Sequence, residues 1–257
     1  MTKFNANSFS LKGKVALITG GAHGLGKYYS LALSLYGADI FVVSNSTDGW
    51  DDLKQAVTAN GQQVEFCQQD ITETGCADKL VAAAVKRFGH LDILINNAGM
   101  QLRNDVLAFK DADWEKVIDL NLNALYFLSH AAAKEMAKQK SGKIINIGSM
   151  QSYRAGKFIF PYTASKHAVM GLTKAYADAL SPYNIQVNGI APGYISTDMT
   201  KPLQEDPVRG PEIKDHIPSG EWGVPDQLMG PMVFLASAAS DYVTGVMLPV
   251  DGGYLLR

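Results

Sequence analysis

Short apolar runs rich in β-branched residues alternate along this chain with longer stretches whose apolar positions recur every three to four residues. The runs are Val15–Thr19, Asp39–Ser44, Val64–Gln68, Ile93–Asn96, Lys143–Ile147, Ile185–Ile190 and Val246–Val250, and each reads as a strand. The intervening periodicity predicts helices over about Leu25–Tyr36, Trp50–Ala59, Ala77–Phe88, Asp113–Gln139, Tyr162–Leu180 and Pro225–Leu235. Strands that are apolar on both faces and separated by helices belong to a parallel sheet covered on each side. The expected fold is therefore α/β: a doubly wound, Rossmann-like parallel sheet of about seven strands, forming a single domain over residues 1–257.

One stretch departs from the pattern. Between Pro192 and Pro225 stand Pro202, Pro207, Pro211 and Pro218, with charges and short helical fragments among them. A long irregular segment after the sixth strand lies where a carboxyl-edge loop covers a ligand, so residues 193–224 are expected to form a substrate lid.

Composition narrows the function classes. An apolar fraction of 47% over 257 residues supports one large core, and a net charge of −2 with scattered Lys and Arg gives no footprint for nucleic acid or an anionic membrane. No run approaches the roughly 20 apolar residues of a membrane span. Cys67 and Cys76 make no metal-ligand pattern and point to reduced thiols rather than secretion; His23, His90, His130, His167 and His216 lack ligand spacing, so no metal is expected. Met1 to Lys14 shows no basic segment followed by an apolar one, so no signal peptide is read. A small-molecule substrate in a cytoplasmic setting is the expectation.

Candidate chemistry begins after the first strand, where Thr19-Gly20-Gly21-Ala22-His23-Gly24-Leu25-Gly26 opens into a helix. Glycines there allow a tight turn and let backbone N–H groups approach a diphosphate at the helix N-terminus. Gly21 to Lys27 also satisfies most of a P-loop, but Tyr28 stands where Ser or Thr would hold magnesium. The spacing Gly20-x3-Gly24-x-Gly26 differs from Gly-x-Gly-x2-Gly, so the loop alone leaves a nucleotide site and a plain strand-to-helix turn both open.

Tyr162 and Lys166 are four residues apart on a predicted helix and share a face. A neighbouring ammonium would bias the phenol, whose ordinary pKa is near 10, toward the phenolate needed for proton transfer. Tyr153 and Lys157 repeat the spacing, but Gly156 and a strand-like Phe158-Ile159-Phe160 argue against a helix there, whereas Ala164, Ala168 and Leu172 continue one from Tyr162. With Ser149 thirteen residues before Tyr162, the chain resembles the short-chain dehydrogenase/reductase family. The resemblance runs nearly end to end, through Thr19–Gly26, Asp70, Asn96-Asn97-Ala98-Gly99, Asn121, Ser149, Tyr162, Lys166, Pro192-Gly193, Thr197 and Asp251-Gly252-Gly253.

That resemblance implies roles. Tyr162 would exchange a proton with the substrate oxygen, Ser149 would hydrogen-bond that oxygen, Lys166 would bias Tyr162 and bind the nicotinamide ribose, and Asn121 would position a water leading to Lys166. Cofactor contacts are expected from Gly20, His23, Gly24, Leu25, Gly26, Ser44, Asn45, Asp70, Ile71, Asn97, Ala98, Gly99, Tyr162, Lys166, Pro192, Gly193, Ile195 and Thr197. Asn97 reads as mainly structural, and Asn123 as a plain helix residue. Gly252 and Gly253 read as a turn.

At the end of the second strand, Val43-Ser44-Asn45-Ser46 offers neither the acid that favours NAD nor a base for the NADP phosphate; NAD is expected, NADP the alternative. Asn184–Asn188, Ala191–Ile195, Trp222-Gly223 and Phe234–Ser237 resemble the family's sugar-acid dehydrogenases, which act on 2-dehydro-3-deoxy-gluconate and gluconate. Arg103 would hold the carboxylate, with Arg154 and Lys157 as further candidates. Leu102 and Glu221 depart from those relatives, which carry Arg there, leaving a polyol, a ketone or a 3-oxoacyl chain as alternatives. A redox-inactive dinucleotide-binding regulator would show a broken tetrad, and all four positions are intact. The resemblance implies a homotetramer or homodimer.

Overall fold

The computed structural model describes residues 5–257. Met1 to Phe4, part of the stretch read for a signal peptide, lie outside the described residues. Seven strands form one parallel sheet in the order β3-β2-β1-β4-β5-β6-β7. They are β1 (Val15–Thr19), β2 (Asp39–Ser44), β3 (Val64–Gln68), β4 (Ile93–Asn96), β5 (Gly142–Ile147), β6 (Ile185–Pro192) and β7 (Met247–Val250). The expected α/β class and strand number hold.

Alternation along the strands makes two cores. Val15, Leu17, Phe41, Val43, Leu94, Ile144 and Val187 face α3 (Cys76–Phe88) and α5 (Leu125–Gln139). Ala16, Ile18, Ile40, Val42, Ile93, Ile95, Ile145 and Ile190 face α1 (Gly24–Leu35), α2 (Trp50–Ala59) and α9 (Met229–Ala236). Every residue of β1, β5 and β6 is buried; the polar residues this takes inside, Lys143, Asn146, Gln186 and Asn188, are each hydrogen-bonded there.

Three expectations need correction. The helix expected over Asp113–Gln139 is α4 (Asp111–Ile118), a π-helical stretch Asp119–Ala124, and α5. The widened turn carries Asn121, whose amide is bonded to the backbone of Met100 rather than to its own helix. Phe158 to Phe160 is no strand: Phe158 has φ +69°, and Phe160 opens α6 (Phe160–Leu180) with Pro161 in the first turn, where a missing N–H costs nothing. Pro225–Leu228 is a 3-10 turn that leads into α9. Residues 193–224 carry two short helices, α7 (Lys201–Gln204) and α8 (Arg209–His216).

Strand order reverses between β1 and β4, whose neighbours lead away in opposite directions. In an open parallel sheet the loops leaving two such strands part and open a crevice at their carboxyl ends.

Candidate active site

The crevice is knitted by a side chain at the end of β1. The Thr19 hydroxyl accepts from the backbone N–H groups of Asn97 at 3.0 Å and Ala98 at 2.9 Å, and the Asn97 amide donates back to the Thr19 carbonyl at 2.9 Å. The structural role expected of Asn97 is what its bonds describe. A methyl group at Gly26 would overlap the Gly20 carbonyl oxygen and come within 2.7 Å of the Asn97 amide nitrogen, so the first turn of α1 rests against the glycine loop with no room for a side chain. Gly24 differs: its φ of +51° favours glycine, and the space before it is open.

His23 precedes α1 in extended conformation and makes no side-chain cap, so the first-turn N–H groups face that open space. Leu25 packs into the core beneath. This is a cradle for a diphosphate. The P-loop reading fails on geometry too, because Lys27 turns away to Asp52 at 3.6 Å.

The other expected cofactor residues ring the same edge. Ser44 ends β2 with 5% exposure and a buried hydroxyl without a hydrogen-bond partner; Asn45 follows, exposed. Asp70 lies just past β3 with its carboxylate accepting from the Thr72 N–H and hydroxyl, and Ile71 beside it is buried in the core. Gly99 adjoins the tetrad: a carbon added there would lie 3.2 Å from Asn121 Oδ1 and 3.7 Å from Lys166 Nζ. Pro192 ends β6, Gly193 donates to the Val250 carbonyl at 3.0 Å, Ile195 bridges to Gly223, and the Thr197 hydroxyl meets that of Thr200 at 3.1 Å. These residues suit a dinucleotide: an uncapped helix start for its diphosphate and an unpartnered hydroxyl for a ribose.

Ser149, Tyr162 and Lys166 converge beside it, next to Asn121. Ser149 caps a 3-10 turn, Met150–Ser152, after β5, and its side chain hydrogen-bonds that of Tyr162. Lys166 lies one turn along α6 from Tyr162, with Nζ 5.5 Å from the tyrosine ring centroid, and donates to the Ile147 carbonyl at 2.6 Å. Asn121 donates to Met100 O and to Ser165 Oγ and accepts from Met100 N, so its side chain is fully engaged.

Burial governs the electrostatics. It pushes the Lys166 ammonium down to about 8, and pushes the Tyr162 phenol up, against the pull of the Ser149 hydrogen bond. The expected bias of Tyr162 toward phenolate is therefore corrected: with Lys166 directed at a backbone carbonyl, desolvation outweighs it. Tyr153 is not the alternative, because it caps a 3-10 turn and its hydroxyl donates to the Met247 carbonyl, away from Lys157.

Two serines that sequence reasoning passed over hold the set together. Ser152 accepts from the Ser149 N–H at 3.3 Å and donates to the Lys166 carbonyl at 2.8 Å; Ser165 donates to the Tyr162 carbonyl at 2.7 Å while accepting from Asn121. The Ser-x2-Ser spacing of a capping box was the signal available for Ser152. The arginines stand further out. Arg103 is exposed with its guanidinium 5.7 Å from the Phe158 ring, and Arg154 lies 4.9 Å from that of Tyr254. No cluster of three metal-ligating side chains occurs among the described residues.

A dinucleotide cradle and a half-buried Tyr beside buried Lys and Ser at one carboxyl edge define a nicotinamide-dependent oxidoreductase. Comparison makes the class specific. A family model described as short chain dehydrogenase matches residues 14–208. The chain is 50% identical to an uncharacterized oxidoreductase, YgcW, of Escherichia coli K12, over 100% of this chain and 98% of the relative. It is 46% identical to the 2-dehydro-3-deoxy-D-gluconate 5-dehydrogenase of the same organism, over 98% and 99%. A crystal structure of a gluconate 5-dehydrogenase from Burkholderia cenocepacia J2315, in complex with NADP and tartrate, superimposes with TM-score 0.93 at 37% identity, covering 98% of each chain. The chain belongs to the short-chain dehydrogenase family and uses NAD(P).

Proposed function

We propose that this protein is a sugar-acid dehydrogenase, exchanging a hydride between NAD(P) and a hydroxyl/carbonyl pair of a 2-dehydro-3-deoxy-D-gluconate or gluconate type substrate. The observation that carries the reading is the meeting of Ser149, Tyr162 and Lys166 beside the glycine cradle. When bound, the nicotinamide supplies the hydride chemistry. Ser149 donates a hydrogen bond to the substrate oxygen, and Tyr162 exchanges a proton with it through its hydroxyl. Lys166 holds the nicotinamide ribose and, charged below about pH 8, lowers the cost of a phenolate on Tyr162. Asn121 fixes the π-helical turn through which a water reaches Lys166.

The substrate reading draws on the names of the relatives and on Arg103 and Arg154 at the mouth. NAD is the first cofactor reading and NADP the alternative: Ser44 offers a hydroxyl to a ribose and no cation to a phosphate, while the Burkholderia cenocepacia relative is named with NADP. The whole chain acts as one domain with residues 193–224 as its lid, assembles as a homotetramer or homodimer, and works in the cytoplasm. No helix among the described residues is long and apolar enough to cross a membrane.

The test is a spectrophotometric screen for reduced nicotinamide with both cofactors against sugar acids, polyols and 3-oxoacyl substrates. Turnover on a sugar acid at least about tenfold more efficient than on its neutral counterpart, roughly 1.4 kcal/mol of discrimination, supports the reading. Preference for a polyol or a 3-oxoacyl chain overturns it.

A further inference from the structure

The lid contributes a cation that the sequence analysis did not single out. Arg209 is the first residue of α8, and Ile213, one turn later on the same face, is buried with Trp222, Tyr254 and Met150, the neighbour of catalytic Ser149. Arg209 thus stands on the inward face of the lid helix. Tyr194, two residues past the end of β6, packs against the same cluster, with its ring 5.0 Å from Trp222 and 5.2 Å from Tyr254. Arg154 reaches the cluster from the β5 side, over the Tyr254 ring. Burial and the neighbouring Tyr254 push the Tyr194 phenol up, and the charges of both guanidinium groups pull the other way.

Neither arginine has an ion pair among the described residues, although Arg87 does. The carboxylate nearest Arg209 in sequence, Asp206, is partly exposed and commits its acceptors to the backbone N–H groups of Val208 and Arg209, so it feels the Arg209 charge without forming an ion pair with it. Glu221, on the same lid, is held by Lys214 at 2.9 Å. Two guanidinium groups without an ion pair, flanking one aromatic cluster that includes the neighbour of Ser149, suit a carboxylate, which each can grip by two parallel hydrogen bonds.

We propose that Arg209 and Arg154, on either side of Tyr194, form the subsite for the substrate's carboxylate, with Arg209 a specificity-determining residue carried by the lid. This rests on the sugar-acid reading above and places the carboxylate on the lid side, away from Arg103.

The test compares wild type with Arg209→Gln, Arg209→Lys and Arg154→Gln. Steady-state constants are measured on a sugar acid and on its neutral counterpart, and the affinity for tartrate is measured by calorimetry with NAD(P) present. For Arg209→Gln the expectation is a KM for the acid raised about tenfold or more, with a much smaller change in kcat and on the neutral substrate, and tartrate binding weakened in step. Arg209→Lys should recover part of the loss. Equal losses on acid and neutral substrates show that Arg209 only holds the lid in place, and overturn the proposal. An unchanged KM and tartrate affinity in Arg209→Gln overturn it while leaving the sugar-acid reading intact. If wild type turns over no sugar acid yet binds tartrate through Arg209, the subsite stands and the substrate reading falls. If it neither turns over sugar acids nor binds tartrate, both fall.

Discussion

The two halves of the crevice are built from different materials. On the β1 side the surface is backbone: glycines at 20, 24 and 26, an uncapped helix start, and Thr19 and Asn97 pinning two loops together. On the β5–β6 side it is side chains: Ser149, Tyr162 and Lys166, then Arg154 and Tyr194 on loops and Arg209 at the start of α8. Backbone recognises what every dinucleotide shares, its diphosphate, whereas side chains set which oxygen reacts and which substrate is admitted. Substitution should therefore damage the first half through sterics and binding, and the second through rate and selectivity.

The largest effect is expected where a side chain carries the proton. Tyr162→Phe removes the hydroxyl and keeps the ring, so turnover should fall by about 10²–10⁴-fold with the cofactor dissociation constant little changed. Tyr153→Phe loses only its bond to the Met247 carbonyl and should retain turnover. Rapid turnover in Tyr162→Phe, or a matching loss in Tyr153→Phe, would move the catalytic assignment to the other tyrosine.

Gly26→Ala probes the backbone half. The added methyl must push α1 from the Gly20 carbonyl, an overpacking that costs on the order of 1–3 kcal/mol and spoils the cradle. Denaturant unfolding and cofactor titration should show both losses together. Intact cofactor affinity would mean that the cradle tolerates displacement, and that the contrast between the halves is weaker than drawn.

The fold was legible because its inner strands are buried on both faces and its helices on one, and periodicity reports that difference directly; the half-buried edge strands β3 and β7 read as strands from their β-branched and aromatic residues and their bounding turns. The Tyr162–Lys166 pair was legible because four residues make one helical turn. What sequence concealed depends on long-range packing. No local pattern announces that Asn121 sits in a π-helical turn bonded to Met100, that Phe158 adopts a left-handed conformation, or that Lys166 points at Ile147. The effect of burial on Tyr162 was also hidden, since Tyr-x3-Lys reveals the partner's charge but not the depth of the site. Arg209 passed unnoticed because nothing in a proline-rich segment says which face of a two-turn helix turns inward.

That depth makes a pH prediction. Lys166 is held down to about 8 in the folded protein from an ordinary value of 10.5, so between these values the unfolded chain holds the extra proton. Stability from this site therefore rises with pH through that window, and the cost of the buried charge is fully present below about pH 8. Lys166→Met lacks the titration. From about pH 8 to about pH 10, unfolding free energies of wild type should gain on the variant by about 1–3 kcal/mol. A constant difference would show that Lys166 is solvated like a surface lysine.

The smallest expected effect lies at the far end of the backbone half, where a side chain intrudes. The Ser44 hydroxyl is buried at the end of β2 without a partner, so a ribose hydroxyl placed there gives and receives a hydrogen bond. In Ser44→Asp a carboxylate accepts from both ribose hydroxyls of NAD and repels the phosphate of NADP, which carries about two negative charges near neutrality. The ratio of the two dissociation constants should move toward NAD by about tenfold, or roughly 1.4 kcal/mol, with turnover on the preferred cofactor little altered because the tetrad is remote. The carboxylate also pays for its burial, so affinity for both cofactors can drop together; the ratio, not either constant alone, carries the test. An unchanged ratio would mean that the ribose is held by Asn45 or the loop beyond it, and that selectivity at this end, like the diphosphate grip, belongs to the backbone.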